Sequence, residues 1–230
     1  MPDRRQMPDR NIHEIRMNVG NVQAFGLECR LLCEEHLPLL SSWRNHPDVL
    51  PFMRDTRKVT PDILLFWFRR ISRSDSTIYH VVFRQNEPVG FTGLNHIDWK
   101  NHTYEGEIFL NPEYIGQKLG VNILLCRELI VKKLGLKTAV SAIRTENKRS
   151  IFLTTKLAYE CTGTNNGFNF YRSECHTRRK ALRTVAREKG MEDEFILHFG
   201  QESGRHTLSA FSVSDMKQAE TQEKQNRTSD

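Results

Sequence analysis

The chain has 230 residues, of which 38% are hydrophobic and 27% are charged, and its mean hydropathy is -0.57. This composition predicts one compact domain with polar, solvated tails. No apolar run approaches the roughly 20 residues that a membrane-spanning helix needs. The polar start of the chain also lacks the apolar stretch of a secretory signal. We therefore expect a cytoplasmic protein.

The formal charge of +6 suits either nucleic acid or a phosphorylated small molecule as the partner. Much of the excess lies in two basic runs, at residues 4–10 and 178–187. No helix-turn-helix, zinc-finger or RNA-recognition signature accompanies them, so nucleic acid is the less favoured partner. The five cysteines are scattered without the paired spacing of zinc ligands, which predicts reduced thiols and no metal site.

Both ends of the chain are polar. Residues 1–25 contain the near-repeat Met-Pro-Asp-Arg and few large apolar side chains, which predicts a disordered arm. Residues 212–230 are polar throughout and predict a disordered tail. The folded domain is therefore expected over residues 26–211.

The first part of this domain alternates between strand and helix patterns. Residues 27–33 predict a short strand, and residues 34–45 carry apolar side chains at helical spacing until Pro47 ends the helix. A second helix is expected to begin at Thr60, an N-cap residue that is followed by Pro61 at the first helical position.

Three predicted strands follow in quick succession, at residues 78–84, 87–97 and 103–110. Their short connections predict an antiparallel meander. A long helix over residues 119–134 comes next, and Gly135 ends it.

The pattern continues with a strand at residues 136–144, a helix at 147–157 and a strand at 159–164. A strand–helix–strand order after the meander makes at least two strands parallel. In the remainder of the domain, residues 178–189 predict a basic helix and residues 194–199 a last strand.

The loop before the long helix carries the first chemical signal. Gln117, Gly120 and Asn122 have the Gln-x-x-Gly-x-small spacing of a loop that wraps a pyrophosphate at a helix N-terminus. The first amides of a helix lack intrahelical partners, and the helix dipole places about half a positive charge there. Glycine lets the backbone approach the phosphate oxygens closely. Taken alone, the spacing fits a tight turn equally well.

A second signal lies in residues 142–160, where Asn147 caps a helix and Ser150 lies one turn in on the same side. Together the two segments resemble the GNAT superfamily of N-acetyltransferases, and the resemblance covers residues 27–164. Residues 43–53 are similar to the branch that contains ribosomal-protein N-terminal acetyltransferases. They are still more similar to the acetyltransferase that modifies a UDP-linked 4-amino sugar on the path to pseudaminic acid.

The resemblance implies an α/β fold with a mixed, mostly antiparallel central sheet and helices on both of its faces. It also implies a V-shaped splay between the fourth and fifth predicted strands, with acetyl-CoA as the cofactor and its pantetheine arm in the splay. The implied cofactor-binding residues are Phe109, Leu110, Asn111, Gln117, Lys118, Leu119, Gly120, Val121, Asn122, Asn147 and Ser150.

The implied reaction is direct attack of a neutral amine on the thioester, which requires a base to take the amine proton. Glu105 and Glu107 lie two apart on one strand and therefore on one face of the sheet. Glu107 lies where relatives of this branch carry a glutamate, and it is our first candidate for the base. The alternative is a half-buried carboxylate in a salt bridge. His96 and Asp98 are the next candidates for the base.

In the superfamily the departing thiolate usually receives a proton from a tyrosine midway along the helix that Asn147 begins. Thr154 occupies that position here, and threonine is a far poorer acid than tyrosine. Three alternatives stay open: Thr154 orients a water, coenzyme A leaves as a thiolate, or Tyr159 or Tyr171 replaces the missing tyrosine. Thr154 joins Glu107 as a candidate catalytic residue.

For the acceptor, the resemblance implies a substrate-binding set of Arg44, His46, Met53 and His96. Arg44 has the planar fork that matches a phosphate of a nucleotide-linked amino sugar; the alternative is that it caps the first helix. The leading hypothesis is acetylation of a primary amine of a small molecule, with a homodimer as a candidate assembly. Protein N-terminal acetylation and a nucleic-acid-binding or regulatory module are the other hypotheses.

Overall fold

The computed structural model describes residues 12–200, which form one eight-stranded sheet and seven α-helices. The strands are β1 (Asn21–Ala24), β2 (Leu27–Leu31), β3 (Ile78–Arg84), β4 (Glu87–Asp98), β5 (Thr103–Leu110), β6 (Thr138–Arg144), β7 (Glu160–Asn165) and β8 (Phe168–Glu174). The helices are α1 (Ile12–Asn18), α2 (Leu37–Arg44), α3 (Pro61–Ile71), α4 (Leu119–Leu134), α5 (Lys148–Lys156), α6 (Cys175–Glu188) and α7 (Glu192–Phe199).

The sheet runs in the order β1-β2-β3-β4-β5-β6-β8-β7, and only β5 and β6 pair in parallel among these strands. Their pairing begins at Thr103 with Thr138 and stops at Glu105 with Val140. Beyond that point the two strands lose their ladder and leave a slot between them. The predicted mixed sheet, its parallel pair and the splay are confirmed.

Each face of the sheet buries its own apolar cluster, because successive strand residues point to opposite faces. On one face Ile78 and Val82 pack with α4. On the other face Tyr79 and Phe91 pack with α2 and α3. The helices predicted on both faces are therefore present, and the slot connects the two sides.

Local sequence signals set the helix ends as predicted. The Thr60 side chain accepts a hydrogen bond from the Ile63 amide at the start of α3. Helix α4 occupies the predicted residues and ends at Gly135, whose φ of 69° favours glycine. None of the helices within residues 12–200 is long and apolar enough to cross a bilayer.

The prediction of a disordered arm over residues 1–25 is wrong from residue 12 onward. Residues 12–18 form α1 and residues 21–24 form β1. Val22 and Phe25 are buried in the core that α4 covers, so the domain begins before residue 26. Residues 1–11 lie outside the described part of the chain.

The end of the domain also differs from the prediction. The basic helix is present as α6 but begins at Cys175, and it follows strand β8, which the sequence patterns did not reveal. The predicted last strand at residues 194–199 is helix α7, in which the tilted rings of Phe195 and Phe199 pack one turn apart at 4.6 Å between ring centroids. Residues 201–211 and the predicted tail at 212–230 lie outside the described residues.

Four arginines of the basic helix α6 are paired with glutamates. Arg178 is buried and donates from Nε to Glu128 at 2.7 Å, and Arg179 donates to the same carboxylate at 3.0 Å. Arg183 and Arg187 both pair with Glu192. These ion pairs fasten α6 to α4 and α7.

Candidate active site

A cavity of about 410 Å³ joins the slot to the side of the sheet that carries α2 and α3. This volume is in the range of small-molecule sites. Predicted residues that line it are Arg44, Met53, Glu107, Phe109, Asn147, Ser150 and Thr154.

Glu107 lies in a row of three residues that crosses the sheet. Gly93 pairs with Tyr79 on β3 and with Glu107 on β5. A Cβ atom at Gly93 would lie 1.9 Å from the Tyr79 ring, so glycine is what lets the ring cross β4. The Tyr79 hydroxyl donates to Glu107 at 3.3 Å as a result.

The surroundings of Glu107 suit a base. Burial raises the pKa of the carboxyl above its usual value of 4.5, and the negative charge of Glu105 adds to this effect. Burial and the charge of Glu107 also raise the pKa of Tyr79, so its hydroxyl stays protonated and orients the carboxylate. A raised carboxyl pKa brings a general base closer to neutral pH.

Glu105 lines the same cavity but is held by Arg54 and His96. Arg54 pairs with one of its oxygens, and His96 Nδ1 lies 2.9 Å from the other. His96 itself is exposed at a bulge at the end of β4 and does not line the cavity. Asp98, the other alternative base, accepts a hydrogen bond from the Asn101 side chain at the turn after β4.

Residues 52–55 of the loop after α2 line the cavity. The Arg44 guanidinium donates to the carbonyls of Asp55 and Arg57 at 2.7 and 2.9 Å. Arg144 on β6 donates to the Met53 carbonyl at 2.8 Å. Arg44 is therefore engaged in shaping the loop. His46 lies outside the cavity lining, where its Nδ1 accepts from the Asp48 amide.

The start of α4 has no side-chain cap, so the amides of its first turn are open to an outside acceptor. The preceding loop is bent by two residues with positive φ, Gly116 at 90° and Lys118 at 59°. Helix α5 packs beside this turn, since a Cβ atom at Gly120 would lie in van der Waals contact with Leu153, at 3.4 Å. The Gln117 side chain accepts from Arg84 at 3.3 Å.

Sequence reasoning missed a lysine at this loop. Lys189, just after α6, donates to the Lys118 carbonyl at 3.1 Å and to Asn122 Oδ1 at 2.7 Å. The Asn122 amide group also donates to the Phe25 carbonyl, so its side chain binds protein rather than facing the loop. No local pattern could reveal Lys189, because tertiary folding alone brings α6 beside α4.

The remaining candidates surround the slot. Asn147 Oδ1 accepts from the Ser150 amide at 3.1 Å and caps α5, as predicted. Asn111 is mostly buried, and its side chain binds the Pro88 carbonyl and the Glu113 amide. The predicted residues Leu110, Leu119, Gly120 and Val121 surround the loop and the first turn of α4 without lining the cavity.

Of the two tyrosines proposed to replace the missing acid, only Tyr159 lines the cavity within the described residues. Tyr171 lies on β8 and is buried, with Asn169 near its hydroxyl. Among residues 12–200, no group of histidine, cysteine or acidic side chains could hold a metal ion.

Comparison with known proteins gives the family. The model described as the acetyltransferase (GNAT) domain matches residues 27–160. The chain belongs to the GNAT acetyltransferase family. It is an N-acetyltransferase that depends on acetyl-CoA. A comparison with curated proteins finds no match.

Solved structures share this GNAT fold at low identity. Spermidine N-acetyltransferase from Vibrio cholerae, in complex with CoA and spermine, is 15% identical, with a TM-score of 0.61 over 66% of this chain and 98% of that chain. A dodecameric structure of the same enzyme is 17% identical, with a TM-score of 0.55 over 65% and 94%. A domain from Methanocaldococcus jannaschii is 20% identical, with a TM-score of 0.57 over 64% and 97%.

The described residues fit acetyl-CoA. The β5 backbone beyond Glu105 has no partner strand on the slot side, where an extended pantetheine arm would pair with it. The uncapped start of α4, with Lys118 and Lys189 beside it, offers amides and positive charge to a pyrophosphate.

Proposed function

We propose that this acetyltransferase modifies the primary amine of a small molecule with an apolar body, and that Glu107 takes the amine proton. The observation that carries the proposal is the position of Glu107 between the slot and an apolar wall. The wall residues are Leu40, Leu64, Trp67, Tyr79, Phe91 and Phe109.

In this mechanism acetyl-CoA supplies an acetyl group that is activated as a thioester. The apolar wall disfavours the charged ammonium form of a bound amine, which helps it to lose its proton. Glu107, with its raised pKa, accepts that proton directly or through a water. Tyr79 holds the carboxylate in place through its 3.3 Å hydrogen bond.

A nucleotide-linked amino sugar and a polyamine carry more charge than a monoamine, and they need charged side chains that are already paired here. A nucleotide-linked amino sugar needs a cation for its phosphates, but Arg44 is bound to the loop carbonyls of Asp55 and Arg57. A polyamine needs several free carboxylates, but Glu105 pairs with Arg54 and Asp55 pairs with Arg57. These contacts favour a monoamine.

The macromolecular alternatives also lack support. A peptide substrate needs an open groove, whereas the Arg144 bond to Met53 holds the loop across the acceptor side. A nucleic-acid module would use the basic run of α6, whose arginines are paired with Glu128 and Glu192.

A thiol-release assay with purified protein tests the acceptor class. The panel is an arylalkyl amine, spermidine, a UDP-linked 4-amino sugar and a short peptide with a free N-terminus. We expect the highest kcat/KM with the arylalkyl amine. A higher value with the nucleotide sugar or the peptide would overturn the proposed acceptor and favour the corresponding alternative.

A matched pair of variants on α3 locates the acceptor. Trp67 lines the cavity and packs on Tyr79 at 5.4 Å between ring centroids, whereas Phe66 is exposed. We expect Trp67→Ala to raise the KM for the amine about tenfold, as lost apolar contact of about 1.4 kcal/mol would. Phe66→Ala should leave it unchanged.

A further inference from the structure

A buried arginine lies at the vertex of the slot. Arg127 on α4 is only 6% exposed and lines the cavity. Its guanidinium packs against Gly106, where a Cβ atom would lie 2.8 Å from Nη1. Gly106 is the first β5 residue beyond the β5–β6 pairing, so Arg127 sits where the two strands part.

Arg127 and Glu107 approach the slot from opposite sides. Gly106 and Glu107 are consecutive on β5 and face opposite sides of the sheet. The Gly106 side carries Arg127, and the Glu107 side carries Tyr79. A group lying in the slot therefore has a base on one side and a fixed cation on the other.

This cation has no carboxylate partner among residues 12–200. Its hydrogen bonds are long, at 3.5 Å to the Glu107 carbonyl and 3.5 Å to the Tyr159 hydroxyl. The neighbouring Glu128 is already bound by Arg178 and Arg179. A buried charge without a counter-charge is costly, and an anion in the slot would offset that cost.

We propose that Arg127 stabilises the thiolate that coenzyme A becomes when the acetyl group leaves. The amine nitrogen forms the new C–N bond, and its proton goes to Glu107. The C–S bond breaks, and its electron pair stays on sulfur beside the guanidinium. This inference rests on the proposed function, and it explains how the enzyme works with Thr154 where its relatives carry a tyrosine.

Tyr159 is a positioning residue in this arrangement. Its hydroxyl accepts from Arg127 Nη2, and its ring lies 5.8 Å from the guanidinium of the buried Arg178. Arg178 is itself fixed by Glu128 at 2.7 Å. Arg178 of helix α6 therefore packs against Tyr159, and Tyr159 in turn positions Arg127.

The thiol pKa of bound coenzyme A tests the proposal without turnover. The thiolate absorbs in the near ultraviolet, and a parallel titration with desulfo-coenzyme A removes the protein contribution. We expect the bound thiol pKa in the wild-type protein to lie about 1 to 3 pH units below that of free coenzyme A. An unchanged thiol pKa on a protein that binds coenzyme A would overturn the role of Arg127. Absence of binding would instead overturn the proposed function.

Variants assign the effect to Arg127. Arg127→Gln should return the thiol pKa to that of free coenzyme A, while Lys133→Gln, an exposed change on the same helix, should not. Arg127→Lys keeps the charge and should keep most of the effect, and Tyr159→Phe should lose part of it. If Arg127→Gln fails to fold, a thiol pKa that is low in Arg127→Lys and higher in Tyr159→Phe supports the proposal; no difference between Tyr159→Phe and wild type contradicts it.

Discussion

At the scale of single residues, the proposed chemistry depends on how neighbours hold Glu107. Its carboxylate lines the cavity beside the apolar wall, accepts from Tyr79 and has the charge of Glu105 nearby. Burial and the charge of Glu105 raise the pKa of Glu107, and the hydrogen bond from Tyr79 lowers it. Two predictions follow from these effects.

Glu107→Gln removes the proposed base and keeps the shape of the side chain. We expect kcat/KM to fall by about 100- to 10,000-fold, the range for a lost general base. In the wild-type protein, the acid limb of the pH–rate profile should lie above pH 4.5 because the pKa of Glu107 is raised. A residual activity that keeps the same acid limb would assign the base to another group.

Gly93→Ala separates the Tyr79 ring from Glu107. The added methyl group would lie 1.9 Å from the ring, and loss of the Tyr79 bond removes a contact that lowers the pKa of Glu107. The acid limb should therefore move to higher pH. Gly163→Ala, where nothing lies within 4 Å of the added Cβ, is the control and should leave the profile in place. Identical pH–rate profiles for both variants would contradict the proposal that Gly93 lets Tyr79 reach Glu107.

Sequence reasoning reached part of this site. Strand alternation put Glu105 and Glu107 on one face of the sheet, and the resemblance to the family selected Glu107 as the first candidate base. Asn147 was selected because its helix cap is a local signal. Tyr79, Arg127 and their glycine neighbours were missed, because only pairing across strands and packing between layers brings them to the slot.

At the scale of elements, β3 carries a buried histidine. His80 Nε2 donates to the Val19 carbonyl at 2.7 Å, and burial lowers its pKa from 6.5 to about 4. A neutral buried histidine stabilises the fold above its unfolded-state pKa, and that stability is lost as the pH falls. The free energy of unfolding should drop by about 3 kcal/mol between pH 7 and pH 4 from this group.

Urea unfolding at several pH values checks this expectation. His80→Gln can keep the bond to Val19 but cannot gain a proton. Its free energy of unfolding should therefore fall less than that of the wild-type protein over the same pH range. Parallel curves for the two proteins would show that His80 does not contribute.

The contact between α6 and α4 gives a second prediction at this scale. Lys189 lies against the start of α4 through Lys118 and Asn122. Removing its charge should weaken acetyl-CoA binding by about 1 kcal/mol, or about fivefold in Kd, at low salt. Lys189→Gln is compared by calorimetric titration with Lys180→Gln, an exposed change on α6. Equal affinities of the two variants for acetyl-CoA would show that Lys189 does not contribute to binding.

Elements with a strong local pattern were predicted well, and those without it were not. Helix α4 carries apolar residues over four turns and ends at a glycine, so its bounds were read correctly. The apolar side chains of residues 194–199 fit the spacing of a strand as well as that of a helix. The contact between Phe195 and Phe199 favours the helix. Strand β1 has only four residues, and it gains its stability by pairing with β2.

At the scale of the whole molecule, the function depends on the opening in a sheet that is covered on both faces. The loop proposed to bind the cofactor precedes α4, the apolar wall lies under α2 and α3, and the slot lies beside the wall. The buried ion pair of Arg178 and Glu128 joins helix α6 to α4. Homodimer formation stays a prediction.

The most direct test of this account is a titration of acetyl-CoA into a protein whose slot is filled. Ala142 on β6 lines the slot, and Thr162 on β7 is exposed. We expect Ala142→Trp to fold and to weaken acetyl-CoA binding by more than about 100-fold, or about 2.7 kcal/mol, while Thr162→Trp binds as the wild type does. Equal binding by all three proteins would contradict the placement of the thioester arm between β5 and β6.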